Sequence, residues 1–274
     1  MISIIICSRT HDISAEMKSN VTATIGCDYE FVIIDNSRGG YNIFSAYNEG
    51  IRRANGDILC FAHDDILFKT ENWGKIVDDI LGNEDIGLVG VAGGHFLGSC
   101  PAPWWASRAL AGQVNQGCMN DGQYIVSEDR WWSRRDSGII DVATVDGLFM
   151  CLRKEMFDSV RFDEETYCHF HCYDCDICMQ VQSASKRVVV SYDIIVEHRS
   201  FGVADLKFFE QLDLWADKWK NSLPIARGVD WDETEINERN QICEEYSSFV
   251  KEREQIRRTK RYILADILTK PFRR

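Results

Sequence analysis

His63, Asp64 and Asp65 stand together directly after an apolar run, Ile58-Leu-Cys-Phe-Ala62. Two carboxylates and an imidazole at one point supply oxygen and nitrogen donors that can hold a divalent cation against a diphosphate. The plainer alternative is a polar loop that caps the next helix, with an aspartate as N-cap. A second group of chemistry-bearing residues crowds between Cys168 and Cys178, where His169, His171, Cys172 and Cys175 also fall. Cys168-x3-Cys172-x2-Cys175 is a spacing found in iron–sulfur sites. Asp174 and Asp176 are interleaved with it, and on a helix Cys175 and Cys178 also fit a buried stripe with Ile177 and Val181. Taken alone, the residues leave both readings open.

The elements that would position these groups follow from the spacing of apolar residues. The run before His63 reads as a strand of a parallel sheet covered on both faces. In such sheets ligands bind beyond the carboxyl ends of the strands. Residues 2–7 form an earlier strand that breaks at Ser8-Arg9, and Tyr29–Ile34 form another that ends in Asp35-Asn36-Ser37. Asn42 to Asn55 carries Ile43, Ala46, Tyr47, Ile51 and Ala54 at helical spacing, with Gly56 as its terminator. Strand, helix, strand, helix, strand predicts βαβ units with right-handed crossovers. Arg9, Asp35 and Asp65 would then line one rim.

Further along, 70–82 reads as a helix and 85–91 as a strand. From Gly93 to Gly138 the periodicity dissolves, which predicts a binding loop or lid. That segment holds Trp104, Trp105, Trp131, Trp132 and Arg134-Arg135, and its tryptophans would either stack on a sugar face or pack the loop down. Strands are expected at 139–145 and 148–152, then a short helix at 153–157. A longer helix follows from Tyr173 to Ser185, with strands at 186–192 and 194–198. From Val203 onward the chain reads as helical.

The chain has 274 residues, 45% of them hydrophobic and 27% charged, enough for one large domain or one domain with an appendage. A net charge of −12 argues against a general nucleic-acid binder. Residues 251–274 nevertheless carry nine Lys/Arg against three Asp/Glu. This basic end is a candidate surface for peripheral membrane contact with anionic lipid, or for a partner. Eleven cysteines, an odd number, with no signal-peptide pattern and no membrane-length apolar stretch, predict a soluble cytoplasmic protein in a reducing compartment.

The strand ends, taken together, resemble the nucleotide-sugar-dependent glycosyltransferases of family 2, over roughly residues 2–202. The resemblance rests on Ile2-Ser-Ile-Ile-Ile-Cys-Ser-Arg9, Val32-Ile-Ile-Asp-Asn-Ser37, the segment from Ala46 to Ile58, and Phe61-Ala-His-Asp-Asp65. It continues through Val145-Asp-Gly-Leu-Phe-Met150, Phe162-Asp-Glu164 and Tyr173-Asp-Cys-Asp-Ile-Cys178. It implies a GT-A fold: a mixed, mainly parallel sheet flanked by helices over 1–202, with a helical C-terminal extension over 203–274. It implies that Asp35 accepts a hydrogen bond from the nucleotide base and that Arg9 and Asn48 lie near the nucleotide. Asp65 would be the principal metal ligand, joined by His63 and His198, with Asp64 on the donor side. Asp174 would be the general base, and Asp146 and Gly147 would bound the acceptor or sugar pocket.

Two positions depart from the family pattern. His63 stands where the first aspartate of Asp-x-Asp lies, and Tyr173 replaces the glutamate before the base. Imidazole favours softer ions than magnesium, so Mn2+ is expected ahead of Mg2+. The predicted function is metal-dependent transfer of a sugar from a nucleotide-diphospho-sugar, UDP-linked, to a glycan or lipid-linked acceptor with inversion, as in polysaccharide biosynthesis. The competing expectations are a related nucleotidyl or sugar transferase, and a nucleotide-sugar-binding protein without turnover.

Overall fold

The structure is a computed structural model and describes residues 1–120, 123–131, 137–200 and 206–257. The chain begins with β1 (Ile2–Ser8), α1 (Ala15–Thr24), β2 (Tyr29–Asp35) and α2 (Ile43–Arg53). β3 (Ile58–Ala62), β4 (Ile66–Phe68), α3 (Trp73–Leu81), β5 (Ile86–Gly90), β6 (Ala92–Gly94) and β7 (Phe96–Leu97) follow. Next come β8 (Leu110–Asn120), β9 (Gln123–Trp131), β10 (Ile139–Asp141), β11 (Thr144–Val145) and β12 (Phe149–Arg153). The remainder is α4 (Tyr173–Ser183), β13 (Arg187–Ser191), β14 (Val196–His198), α5 (Leu206–Trp219), β15 (Ile225–Ala226) and α6 (Glu233–Arg257).

Seven strands form the central sheet in the order β10-β13-β5-β12-β3-β1-β2. β1, β2 and β3 pair in parallel, as do β5 and β13, while β12 and β10 run against their neighbours. Alternation along β1 shows why the sheet is covered on both faces. Ile2, Ile4 and Ile6 pack with Met17, Val21, Trp73 and Val77 of α1 and α3. Ile5 turns the other way, into a cluster with Phe44 and Tyr47 of α2 and Ile177 of α4. Phe208, Leu212 and Trp215 of α5 belong to that second cluster.

A buried ionic knot ties α5 to α4. Asp176 is 1% exposed and accepts hydrogen bonds from Lys218 Nζ, Trp219 Nε1, Tyr167 Oη and Gln180 Nε2. Lys218 also reaches Asp163 at 2.8 Å. A buried carboxylate persists when its lone pairs are filled in this way.

Several expectations are corrected. Gly56 does not terminate α2, which ends at Arg53 with Ala54 as its cap. Gly56 lies against the start of β1 instead: a Cβ there would come within 2.7 Å of the Met1 carbonyl, and its N–H donates to the buried Ser3 hydroxyl. His63-Asp64-Asp65 does not cap a helix, because β4 follows it. The segment from Gly93 to Gly138 is no structureless lid. It contains β6, β7 and the long antiparallel hairpin β8–β9, which joins β11, β14 and β4 in a second sheet. Trp104 is buried, and Trp105 stacks on Phe208 of α5 at 5.6 Å, which holds this region to α5. Trp132, Arg134, Arg135, the 202/203 boundary and 258–274 of the basic end lie outside the described residues. Among the described residues no helix is long and apolar enough to cross a membrane.

Because Trp215 is 1% exposed within the main core, Trp215→Ala is expected to cost about 3–5 kcal/mol. Urea denaturation should show one shifted transition for the whole protein. A main transition left in place would mean that α5 folds apart from the sheet.

Candidate functional site

The site forms where loops leave the carboxyl ends of the central strands. β3 delivers His63-Asp64-Asp65 as it ends, and the His63 N–H donates to the Leu148 carbonyl at 3.1 Å. That bond continues the antiparallel β3–β12 ladder, in which Ala62 faces Phe149. It brings Asp146-Gly147 beside His63. On the other side β14 runs antiparallel to β4 with His198 opposite Ile66. The Arg199 N–H donates to the Asp65 carbonyl at 3.1 Å, which completes the approach of His198 to Asp65.

His63, Asp65 and His198 place their ligand atoms within 4.8 Å of one another. His198 Nε2 is 3.6 Å from Asp65 Oδ1, and His63 Nδ1 is 4.0 Å from the same oxygen. Two ligands each about 2.1 Å from one cation lie about 3–4 Å apart, so these separations fit a shared ion. His198 Nε2 is buried and has no hydrogen-bond partner among the described residues. A buried nitrogen left unpaired is costly, and a cation would complete it. Burial holds His63 toward its neutral, ligating form; Asp146 opposes this and His198 adds to it. The donor set therefore suits a divalent ion.

Asp64 lies apart from that trio and accepts from the Ser8 hydroxyl at 3.1 Å. At the end of β2, Asp35 Oδ1 accepts from the Ser37 N–H at 2.9 Å, and Oδ2 lies 2.8 Å from His11 Nδ1. Hydrogen bonds from Ser37 and His11 hold the Asp35 carboxyl well below the usual carboxylate range. His11 is the partner that residue spacing did not single out. Arg9 is exposed at the end of β1. Asn48 makes different contacts: its amide donates to the Phe162 carbonyl at 2.8 Å and to Glu164 at 3.1 Å.

α4 supplies Asp174 and Tyr173. Asp174 Oδ2 accepts from the Gly147 N–H at 3.2 Å, and Oδ1 accepts from the Cys175 N–H at 2.8 Å. Asp146 Oδ1 accepts from the Leu148 N–H at 2.9 Å, which shapes the same turn. Burial, reinforced by Asp146, pushes the Asp174 carboxyl up to about 7 despite those two N–H donors. A carboxylate poised near neutrality with an accessible edge can take up a proton from a hydroxyl. Tyr173 Oη lies 2.8 Å from His63 Nε2, so the two departures from the family pattern touch.

Three of the four cysteines of 168–178 pack into the core. Cys172, Cys175 and Cys178 are buried, while Cys168 is exposed. The Val145 N–H donates to Cys178 Sγ, and burial pushes that thiol up to about 12. Among the described residues they join no group of three ligand atoms close enough for one ion.

A family model described as "Glycosyltransferase like family" matches residues 3–200. No curated protein matches the sequence significantly. The crystal structure of GalNAc-T7 with UDP, GalNAc and Mn2+ aligns at a TM-score of 0.53 and 10% identity, over 89% of this chain and 54% of that one. This chain thus spans about half the length of GalNAc-T7, and the likeness is one of fold. The mannosyltransferase PcManGT from Pyrobaculum calidifontis, in complex with GDP-Man and Mn2+, aligns at 0.45 and 9% identity, over 96% and 82% of the two chains. A197 from STIV aligns at 0.41 and 11% identity, over 85% and 96%. The mixed sheet between two helical layers is a GT-A fold.

The raised Asp174 carboxyl has a consequence for stability. The folded chain keeps a proton there that the unfolded chain releases above about pH 4, so stability from this group falls as pH rises toward 7. Asp174→Asn cannot ionise and escapes that loss. It is expected to raise stability by about 2 kcal/mol at pH 8 and to change it little at pH 4.5. Thermal melts at the two pH values check this, and equal effects at both would remove the buried-charge account.

Proposed function

This chain belongs to the glycosyltransferase-like family, and on that premise we propose that it is a metal-dependent, inverting enzyme. It moves a sugar from a nucleotide-diphospho-sugar, UDP-linked, to a hydroxyl of a glycan or lipid-linked acceptor. The observation that carries this reading is the buried, unpartnered His198 Nε2 facing Asp65 and His63 at the carboxyl end of the sheet. The same fold in GalNAc-T7 houses UDP and Mn2+, which supports the choice of nucleotide and ion.

His63, Asp65 and His198 would hold the cation, Mn2+ ahead of Mg2+ because two of its three ligands are imidazoles. When bound, a divalent ion neutralises the charge that builds on the leaving diphosphate. The other roles belong to the chain itself. Asp35, kept ionised by Ser37 and His11, accepts a hydrogen bond from an N–H of the base. Arg9 extends from the same rim toward the phosphates, and Asp64 closes the donor side. Asn48 lies near the nucleotide, its amide held by the Phe162 carbonyl and Glu164. Asp146 and Gly147 bound the acceptor or sugar pocket.

Asp174 is the general base. The acceptor oxygen bonds to the anomeric carbon as the bond to the diphosphate oxygen breaks, and the hydroxyl proton passes to the Asp174 carboxylate. One displacement from the opposite face inverts that carbon. Gly147 N–H and Cys175 N–H hold the carboxylate in place without neutralising it.

UDP release from a panel of UDP-sugars with Mn2+ and a panel of glycan and lipid-linked acceptors tests this reading. Asp174→Asn should lower the rate by about 10²-fold or more. In the wild type kcat/KM should rise with pH and level off above about 7, because only ionised Asp174 accepts the proton. Undiminished turnover in Asp174→Asn removes it as base. UDP binding without turnover in the wild type across the panel assigns the chain a binding role instead.

A further inference from the structure

His63 and Tyr173 are the two positions at which the chain leaves the family pattern, and their contact is closely constrained. The Tyr173 ring is 4% exposed and lies edge-on to Tyr47 at 5.6 Å and to Phe44 at 6.3 Å. Its hydroxyl end sits over Gly147, where a Cβ would meet Oη at 2.2 Å. The ring therefore has no room to swing, and Oη is fixed 2.8 Å from His63 Nε2.

A neutral imidazole carries one N–H and one lone pair, on different nitrogens. The partner of one nitrogen decides which is which. His63 turns Nδ1 toward Asp65 Oδ1, at 4.0 Å. Only the tautomer with hydrogen on Nε2 offers a lone pair there. A tyrosine hydroxyl can accept that hydrogen, and a phenyl ring cannot.

We propose that Tyr173 is a positioning residue for the cation site: by accepting a hydrogen bond from His63 Nε2–H it holds the Nδ1 lone pair toward Asp65 and His198. This rests on the reading that these three residues hold a divalent ion. It also makes the two exchanges one unit, since His63 ligates only as Tyr173 directs it. The same contact ties a metal ligand to the first residue of α4, immediately before Asp174.

The test is Mn2+ titration in the presence of UDP, read from the paramagnetic resonance signal of free Mn2+, with no turnover required. Wild type, Tyr173→Phe, His63→Ala and the double variant are compared. Tyr173→Phe keeps the ring, and its metal-free Tm should stay near that of wild type. It should weaken Mn2+ binding about tenfold. His63→Ala should weaken binding at least as much, and the double variant no more than His63→Ala, because both act through one imidazole. Binding within twofold of wild type in Tyr173→Phe, or losses that multiply in the double variant, overturns the proposal. Asp65→Ala separates the two levels. If it loses Mn2+ binding while Tyr173→Phe does not, only the role of Tyr173 fails. If it binds Mn2+ as wild type does, the cation site itself fails and the proposal with it.

Discussion

The antiparallel pairing of β14 with β4 is the constraint on which the candidate cation site depends. His198 and Asp65 are remote in sequence, and the register that sets His198 opposite Ile66 is what makes them neighbours. Side chains alternate along a strand, so a slip of one residue would send His198 to the other face. The register is held from outside the site. Glu197, next to His198 and turned to the opposite face of the strand, is 3% exposed and takes hydrogen bonds from Tyr124 Oη and Arg199 Nε and an ion pair from Lys69. Tyr124 comes from β9, so the hairpin helps to fix the strand that carries His198. Hydrogen bonds and charges around Glu197 thus keep it ionised, well below the usual range for glutamate, against the opposing effect of burial.

The two aspartates of α4 show how one helix can hold the fold with one carboxyl and present another at the candidate site. Two residues apart on a helix means nearly opposite faces. Asp176 points at α5, where Lys218 and Trp219 satisfy it. Asp174 points at the strand ends, receives the Gly147 and Cys175 backbone N–H groups and faces Asp146. The first arrangement neutralises a buried charge and fastens α5 to the core. The second leaves a carboxyl that resists ionisation, a local cost in stability of the kind that accompanies a base tuned toward neutral pH.

Much of the sheet was legible because its strands are continuous apolar runs ending in polar residues, as at Ile58–Ala62 before His63 and Tyr29–Ile34 before Asp35. The candidate ligands His63, Asp65 and His198 were expected together from the family resemblance, and the structure brings them within reach of one another. The hairpin was not legible. β8 reads Leu-Ala-Gly-Gln-Val-Asn-Gln-Gly-Cys-Met-Asn, with glycines and amides of low strand propensity. Several side chains on its partner, Ile125 and Val126 among them, remain substantially exposed. Its ladder owes more to backbone pairing and to Glu197 than to a buried stripe, so no periodicity announced it. Gly56 misled for a related reason: a glycine after a helix looks the same whether it supplies a turn or a close approach. Helical spacing alone did not say which aspartate of α4 turns to the strand ends; the resemblance pointed to Asp174, and Lys218, far along the chain, holds Asp176 on the other side.

The contact between His63 and Tyr173 bears on how much negative charge the site can hold. Asp64, Asp65, Asp146 and Asp174 already gather around the strand ends, and Asp146 contributes to raising the Asp174 carboxyl. The family pattern would add a carboxylate at each of positions 63 and 173, at a place where the present side chains are 2.8 Å apart. Like charges that close cannot both ionise without a strong counter-charge. Replacing one alone leaves the other beside a partner of different shape and hydrogen-bonding capacity. Exchanging both for a neutral imidazole and a phenol removes the repulsion and keeps a hydrogen bond between the two elements. In the proposed cation site it would hand part of the ligand set to nitrogen, a donor that suits manganese better than magnesium. The two substitutions are therefore better understood as one change in the electrostatics of the site than as two losses from a motif.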